Sequence, residues 1–378
     1  MPLLWPTTTA CPTIHWVTLI SLFLLSTACQ RHSRNEAGKP PSGICTTPSP
    51  NTACGVPTFS PKVQGSGNQV LTGASGLAIL DGSLYTVLEA SGVGAGIAPV
   101  PSNRQADLGG AVGLVRGVLF RADANRPNAW TPLDIALSPS CHKLITTLAG
   151  DHRRNDLELE SIDVRRGPAG GVRVAVGSDF GYVATGELKG PVVILKRCAA
   201  SRRELPNNKA FEAVTLPRSA TGSLMAFEER PRRVETAAPD SQRYRRQWLD
   251  GTAPDAARQS TVLKSPKRPR ICKKMPRVAG STTVANGTVL IMSCKHIDGG
   301  YRYFLGATAP SRDDVLITAL SNDQYGELTP NLEGLASAGG CNDPLWIISD
   351  DHNSGGAPTV LATTAVPLAF KIRLGCGE

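Results

Sequence analysis

Residues 331–355 read NLEGLASAGGCNDPLWIISDDHNSG, and they place acids around two short apolar runs. Glu333 stands directly before a Gly-Leu pair, a glycine-containing loop follows, and the second apolar run ends at Asp350 and Asp351. Two apolar runs of strand length on either side of such a loop are typical of a β-hairpin. We therefore expect a buried hairpin with acids at the beginning of one strand and at the end of the other.

The same order of features recurs along the chain. Four further segments have an acidic or small residue, an apolar run, a turn and a second apolar run: Ser75–Glu89, Glu160–Asp179, Phe211–Glu229 and the weaker Thr282–Cys294, which lacks a closing acid. Successive copies begin roughly 50 to 70 residues apart after a longer first interval. That period is typical of four-stranded blades repeated around an axis, which form a β-propeller.

The composition favours the same fold class. Aromatic residues make up 5% and charged residues 19% of the chain, while 38 glycines and 29 prolines favour many turns over long helices. We predict an all-β protein whose residues 64–378 form a propeller of five or six blades, with six favoured. We expect a strand at 370–374 to pair near Val70 and Leu71 and close the ring, because an open sheet edge is a liability.

The repeat also predicts a cluster of carboxylates. The first strand of each propeller blade lines the central channel, so acids at equivalent places on several blades would approach one axis. Close like charges raise each other's pKa unless a cation or a basic ligand neutralises them. Glu160, Glu212 and Glu333 are therefore predicted ligands of a metal ion or of the substrate, and their oxygen atoms suit Ca²⁺ or Mg²⁺. The alternative is that these acids cap turns and accept hydrogen bonds from backbone amides of the next blade.

The N-terminal residues have the features of an export signal. The apolar run of residues 17–28, VTLISLFLLSTA, is too short to span a bilayer and precedes polar, proline-rich sequence. Leu25-Ser26-Thr27-Ala28-Cys29 resembles a bacterial lipobox, although its leucine lies one place further back than usual. We predict a signal peptide at 1–28, a lipidated Cys29, and a tether at 29–63 that anchors a monomer to the bilayer of the bacterial cell envelope. The alternatives are a secreted protein and an uncleaved anchor.

Cysteine usage agrees with export. Eight cysteines remain once Cys11 leaves with the signal peptide and Cys29 carries lipid, and an even number in an exported protein indicates disulfides. The sequence does not decide the pairing. The pairing we choose is Cys45–Cys54, Cys141–Cys198, Cys272–Cys294 and Cys341–Cys376.

Much of the net charge of +9 lies in one segment. Between Arg230 and Arg277, fourteen lysines and arginines face four acids. This segment, about 230–277, is either a long solvated loop inserted in the propeller or a surface that attracts an anionic ligand. Aromatic residues are sparse there, so we expect no nucleic-acid partner.

Three motifs resemble the repeated signatures of the phytase-like family, also called the esterase-like activity of phytase domain. They are DLELESI at 156–162, NKAFEAV at 208–214 with MAFE at 225–228, and NLEGL at 331–335 with ISDDHN at 348–353. The resemblance covers about residue 65 to the C-terminus. It implies a β-propeller, an envelope location and phosphoester hydrolysis. Ser161 and Ala213 depart from the family's glycine after Glu, and His352 interrupts its Asp-Asp-Asn run.

Two functions follow from these observations. In the first, a cation held by Glu160, Glu212 and Glu333 polarises a phosphate oxygen of a phosphoester, and Asp350 or Asp351 serves as the general base. In the second, the propeller is a non-catalytic envelope module that engages an anionic partner through its basic segment, because a fold does not fix a function. Further acids that follow second strands should lie near one end of the channel: Glu89, Asp179, Glu228 and Glu229.

Overall fold

A computed structural model describes most of the chain from residue 62 onward. The described residues are 62–63, 71–88, 96–149, 157–200, 210–217, 224–229, 232–233, 242–249, 257–264, 268–320, 331–349, 359 and 361–376. All of them lie in one compact unit, 43–378. Within these ranges, no helix has the length and apolar character needed to cross a membrane. The predicted signal peptide, Cys29 and most of the tether lie outside the described residues and stay predictions.

The first two blades share one sheet. Blade 1 and its flanking segments contain β1 (Lys62–Val63), β2 (Ala74–Leu80), β3 (Ser83–Leu88), β4 (Ala98–Pro99), α1 (Ser102–Gln105), β5 (Gly113–Asp123), β6 (Ala129–Leu137) and α2 (Pro139–Ala149). Blade 2 contains β7 (Leu159–Arg166), β8 (Val172–Ser178), β9 (Tyr182–Lys189) and β10 (Val192–Ala200). The sheet order is β2-β3-β5-β6-β10-β9-β8-β7, since the outermost strands β6 and β10 pair in parallel.

The other three blades form separate sheets. Blade 3 contains β11 (Phe211–Thr215), β12 (Leu224–Glu228), β13 (Arg232–Arg233), β14 (Gln242–Leu249) and β15 (Ala257–Lys264). Blade 4 contains β16 (Arg277–Val284), β17 (Gly287–Lys295), β18 (Tyr301–Thr308) and β19 (Leu316–Ala319). Blade 5 contains β20 (Leu332–Ala336), β21 (Leu345–Ser349) and β22 (Leu361–Thr364), and α3 (Leu368–Leu374) follows it.

The first strands of the blades form a ring. β2 packs against β7, β7 against β11, β11 against β16, β16 against β20, and β20 returns to β2. Each of the five interfaces between neighbouring blades has its own cluster of buried apolar side chains. The described residues therefore form a five-bladed β-propeller. The predicted fold class is confirmed, while the six blades that we favoured are wrong, because the ring closes with five.

All five inner strands carry a β-bulge at the same place. The pairing register slips by one residue after Ala74, Leu159, Phe211, Val278 and Leu332. In chain order, the extra residues at this bulge position are Ser75, Glu160, Glu212, Ala279 and Glu333. The recurring glutamates of the sequence are thus equivalent residues of three blades, and all three are buried.

The residue that follows each bulge is small because the inner strands approach closely there. A Cβ atom on Gly280 would lie 2.3 Å from the carbonyl oxygen of Glu333 in the next blade. A Cβ on Gly334 would lie 2.8 Å from the amide nitrogen of Leu77, and one on Gly76 would lie 2.8 Å from the Cα of Ser161. Separations under 3 Å leave no space for a side chain, so glycine is required at these three positions.

Two expectations about the chain are wrong. Residues 370–374 form part of helix α3 instead of a closing strand. The helix begins after Pro367 and ends before Gly375, which has a φ of 70°. Its side chains Phe370 and Leu374 are buried. The described ring closes by packing of β20 on β2. The basic segment is also not one loop, because β14 and β15 pair within blade 3.

Three disulfides join neighbouring elements, and they have the pairing that we chose. Cys141–Cys198 connects α2 to β10, Cys272–Cys294 connects the segment before β16 to β17, and Cys341–Cys376 connects blade 5 to the segment after α3. The proposed Cys45–Cys54 pair lies outside the described residues.

The close approach of inner strands predicts the effect of adding one methyl group. Gly280→Ala should lower the free energy of unfolding by about 1–3 kcal/mol, because the new Cβ collides with backbone. Gly171→Ala is the matched control, since no atom lies within 4 Å of the Cβ it would add. Urea unfolding measures both changes. Equal stability of the two variants would contradict the proposed crowding.

Candidate functional site

Arg277, the first residue of β16, joins three blades at one end of the ring. Its Nη1 donates to Glu229 Oε1 at 3.0 Å in blade 3, and its Nη2 donates to Glu333 Oε1 at 3.1 Å. Nη2 also donates to Asn331 Oδ1 at 2.6 Å, just before β20, and Nε donates to Ser293 Oγ at 3.0 Å in β17. The two carboxylates are almost fully buried, and the Arg277 side chain is 26% exposed. We call Arg277 and its acidic neighbours Asp179, Glu212, Glu229 and Glu333 the carboxylate cluster.

Blade 4 provides the cation because it departs from the repeat. At the bulge position it has Ala279 where blades 2, 3 and 5 have glutamate. In blades 2 and 3 an acid follows the second strand, Asp179 and Glu229 respectively. Ser293 occupies the equivalent position in blade 4. The blade thus lacks both recurrent acids, and Arg277, two residues before the bulge, extends between the acids of its neighbours.

Glu212 has a strongly perturbed carboxyl group. Burial raises its pKa well above its ordinary value, and the charges of Asp179, Glu333 and Glu229 raise it further, while Arg277 opposes them. The charged form of Glu212 is therefore disfavoured in the folded protein. Burial disfavours the charged form of Arg277, but Glu333, Glu212 and Glu229 outweigh this and raise its pKa, so the guanidinium stays charged.

Backbone hydrogen bonds hold the acids in place. Asp179 Oδ1 accepts from the amide of Ala210 at 3.2 Å, and the amide of Glu229 donates to the carbonyl of Ala210 at 3.1 Å. The amide of Val278 donates to the carbonyl of Glu229 at 2.8 Å. These bonds link blades 2, 3 and 4 in sequence. Asp179 therefore has the structural role that we gave as the alternative for the acids.

The predicted site residues divide into three groups. Glu212 and Glu333 both interact with Arg277, and their predicted role as ligands stays a prediction. Glu160 is buried at the equivalent bulge position of β7, in the blade next to Glu212. The predicted general bases Asp350 and Asp351, together with Glu89, lie outside the described residues.

The described residues do not fit a divalent cation. Glu333 Oε1 already accepts hydrogen bonds from Arg277 and Asn331, and Glu229 Oε1 accepts one from Arg277. Within the part of the chain that the structure describes, no three His, Cys, Asp or Glu side chains are grouped to hold a metal ion. The Ca²⁺ or Mg²⁺ site stays a prediction. It would need the carboxylates of Asp350 and Asp351, which lie outside the described residues.

Sequence reasoning missed Arg277, Asn331 and Ser293. The predicted fourth copy begins at Thr282, which lies after the bulge at Ala279, so the bulge is not part of it. Val278-Ala279-Gly280 matches Leu332-Glu333-Gly334 with alanine in place of glutamate. Counting back two residues from this bulge would have identified Arg277 as the equivalent of Asn331.

Comparisons with known proteins show low similarity. No protein-family model matches the sequence, and no curated relative matches it. The structure is similar to the catalytic domain of a GH62 α-L-arabinofuranosidase from Coprinopsis cinerea, with 11% identity, a TM-score of 0.48, and coverage of 84% of this chain and 98% of that one. An exo-β-1,3-galactanase from Phanerochaete chrysosporium has 12% identity and a TM-score of 0.45, with 82% and 64% covered. These scores carry no argument about chemistry, and the phytase-like resemblance stays a prediction.

The ion pairs predict how the protein responds to loss of Arg277. Arg277→Met should lower the free energy of unfolding at pH 7 by about 3–5 kcal/mol, because Glu229 and Glu333 would stay buried without the positive charge that pairs with them. Urea unfolding at pH 7 measures the loss.

Arg166→Met is the control for that experiment, because Arg166 pairs with Asp81 on the surface, where both side chains are more than half exposed. It should cost less than about 1 kcal/mol. If the two arginine variants lost the same stability, Arg277 would not be neutralising buried charge.

The raised pKa of Glu212 predicts a pH-dependent stability. Between the unfolded and the folded pKa, the folded protein holds a proton that the unfolded chain releases, so stability falls as the pH rises. Glu212→Gln cannot ionise and should remove this slope, which is at most about 1.4 kcal/mol per pH unit. Urea midpoints measured from pH 4 to pH 8 test this. Parallel curves for the variant and the natural chain would show that Glu212 titrates normally.

Proposed function

We propose that this chain is a hydrolase whose active site is the carboxylate cluster. The observation that carries the proposal is the difference between two of its glutamates. Burial raises the pKa of Glu212 and disfavours its charged form, whereas Glu333 forms an ion pair with Arg277. Pairs of titratable groups whose environments separate their pKa values are typical of a general acid and a general base.

The two glutamates have complementary roles in the proposed reaction. Glu333 accepts a proton from a water molecule, whose oxygen attacks the electrophilic centre of the substrate. Glu212 donates its proton to the leaving oxygen as the bond to that oxygen breaks. Arg277 and Asn331 orient Glu333 by donating hydrogen bonds to it, and the positive charge of Arg277 favours the carboxylate form. Proton exchange with solvent then restores both groups.

The charge of the cluster favours an uncharged substrate. Asp179, Glu229 and Glu333 contribute three carboxylates against the single guanidinium of Arg277, once Glu212 is neutral. A phosphate group would be repelled there unless a cation joined it, and the described donors do not form a set for a cation. A glycosidic bond, which two carboxyl groups cleave in many enzymes, or a carboxylic ester suits these charges better. The phosphoester implied by the phytase-like resemblance is therefore our second choice.

A non-catalytic envelope module is the alternative function. The role of Asp179 in linking blades favours it, because an acid can be kept for structure alone. In this alternative the lipid anchor at Cys29 and the basic residues hold the propeller at a surface, and the cluster only connects the blades. Activity measurements on variants of the cluster distinguish the two functions.

The test is a substrate panel of aryl glycosides, aryl carboxylic esters, and aryl phosphomono- and phosphodiesters, each with added Ca²⁺ and with a chelator. We expect turnover of an uncharged substrate in the presence of the chelator. Glu333→Gln and Glu212→Gln should each lower kcat by about 10²- to 10⁴-fold with the fold intact, because each removes one proton-transfer group.

Glu187→Gln is the matched control, since Glu187 is an exposed acid that pairs with Lys196 in blade 2. It should keep the kcat of the natural chain. Hydrolysis of phosphoesters alone, and only with Ca²⁺, would overturn the uncharged-substrate proposal in favour of metal-assisted chemistry. Full activity in folded Glu333→Gln would overturn the catalytic role of the cluster.

A further inference from the structure

Two exposed isoleucines lie side by side near the carboxylate cluster. The side chains of Ile271 and Ile297 are 39% and 50% exposed, and the amide of Ile297 donates to the carbonyl of Ile271 at 3.1 Å. The Cys272–Cys294 disulfide joins the two segments that carry them. Among the described residues only four large apolar side chains are exposed, and this pair accounts for two. Grouped exposed apolar side chains often mark an interaction site.

Cations surround this pair. Residues 268–300 contain a single acid, Asp298. We call Ile271, Ile297 and the exposed cations around them the basic rim; the cations are Arg268, Arg270, Lys273, Lys274 and Lys295. A surface with both apolar and cationic side chains is complementary to one that is anionic outside and apolar beneath.

A disulfide and several hydrogen bonds cross-link the backbone of the rim. Besides the disulfide, Arg268 Nη1 donates to the carbonyls of Cys272 at 2.6 Å and Lys273 at 3.0 Å. The amide of Lys273 donates to the carbonyl of Lys295 at 2.9 Å. Binding to the rim would therefore cost little ordering of the backbone.

The rim lies at the same end of the propeller as the carboxylate cluster. Arg277 and Ser293, which are cross-strand partners, bond to each other through their side chains. Lys295 is two residues beyond Ser293, and Lys273 is four residues before Arg277, so the two strands run from the cluster directly into the rim. A partner bound at the rim would face the cluster.

We propose that the basic rim docks this end of the propeller on an anionic lipid surface. The cations would contact headgroup phosphates, while Ile271 and Ile297 enter the boundary between headgroups and acyl chains. A nucleic acid or another polyanion would explain the cations but would give the two exposed isoleucines no apolar partner. The proposal goes beyond the hydrolase and does not depend on it.

The test measures binding of the chain from residue 29 onward to lipid vesicles. Cys29→Ser removes the predicted acylation site, and this chain retains the whole of the 43–378 unit. The vesicles contain phosphatidylcholine alone or an equal mixture with phosphatidylglycerol. We expect co-sedimentation with the mixed vesicles, weakening with added salt, and little with phosphatidylcholine alone.

Two double variants separate the charged from the apolar contribution. Lys273→Glu/Lys274→Glu should weaken binding by about 25-fold or more, since each cation near an anionic bilayer contributes about a fivefold factor. Ile271→Ser/Ile297→Ser should weaken it by about tenfold. The matched control is Leu368→Ser/Ile372→Ser, which removes the exposed apolar pair of α3 at the opposite end, where Asn286 in the β16–β17 turn bonds to Leu374.

The outcomes are distinct. Binding unaffected by the isoleucine substitutions, but lost on charge reversal, would identify a general polyanion surface and overturn the lipid proposal. Equal binding to both kinds of vesicle, or equal weakening by the α3 control, would also overturn it. Circular dichroism and thermal unfolding confirm that each variant is folded. Because no substrate is present, failure here leaves the proposed hydrolase untouched.

Discussion

The arrangement of this propeller depends on how closely its inner strands approach one another. At Gly76, Gly280 and Gly334, backbone of the neighbouring blade occupies the space that a side chain would need. Each of these glycines directly follows a bulge, and a bulge turns the extra residue out of the regular alternation of the strand. Close approach and the bulge together explain why the acids at 212 and 333 come together, although more than one hundred residues separate them in the sequence.

Gathering these acids has an electrostatic cost that the protein meets with one arginine. Arg277 is bonded to two carboxylates, an amide and a hydroxyl from three blades. Buried ion pairs of this kind add little net stability compared with apolar side chains of similar volume, although breaking one is expensive. Glu212 adds a further cost, since its charged form is disfavoured. Stability alone therefore does not account for the cluster, which agrees with a role in chemistry.

The sequence predicted those features that follow from local patterns. Hairpins with a glutamate before a small residue were visible in three copies, and the three described disulfides were paired as we chose. Arg277 could not be found in this way, because its blade has Ala279 and Ser293 where the pattern calls for acids. Residues 370–374 alternate apolar and basic side chains as a strand does, yet Phe370 and Leu374 are also one helical turn apart. Pro367 before the segment and Gly375 after it favour the helix.

Blade 4 shows what one departure from the repeat does to the ring. Five equivalent blades would gather like charges at one end, with no cation to oppose them. Blade 4 lacks two of the recurrent acids, and Arg277 occupies the space between the acids of its neighbours. The Cys272–Cys294 disulfide and the exposed cations lie next to the end of the β16–β17 pair that contains Arg277. The same blade thus supplies the one cation of the cluster and the basic rim beside it. Because Lys273 and Lys295 lie four and two residues from Arg277 and Ser293, the charges of the cluster and of the rim are set together by a single blade.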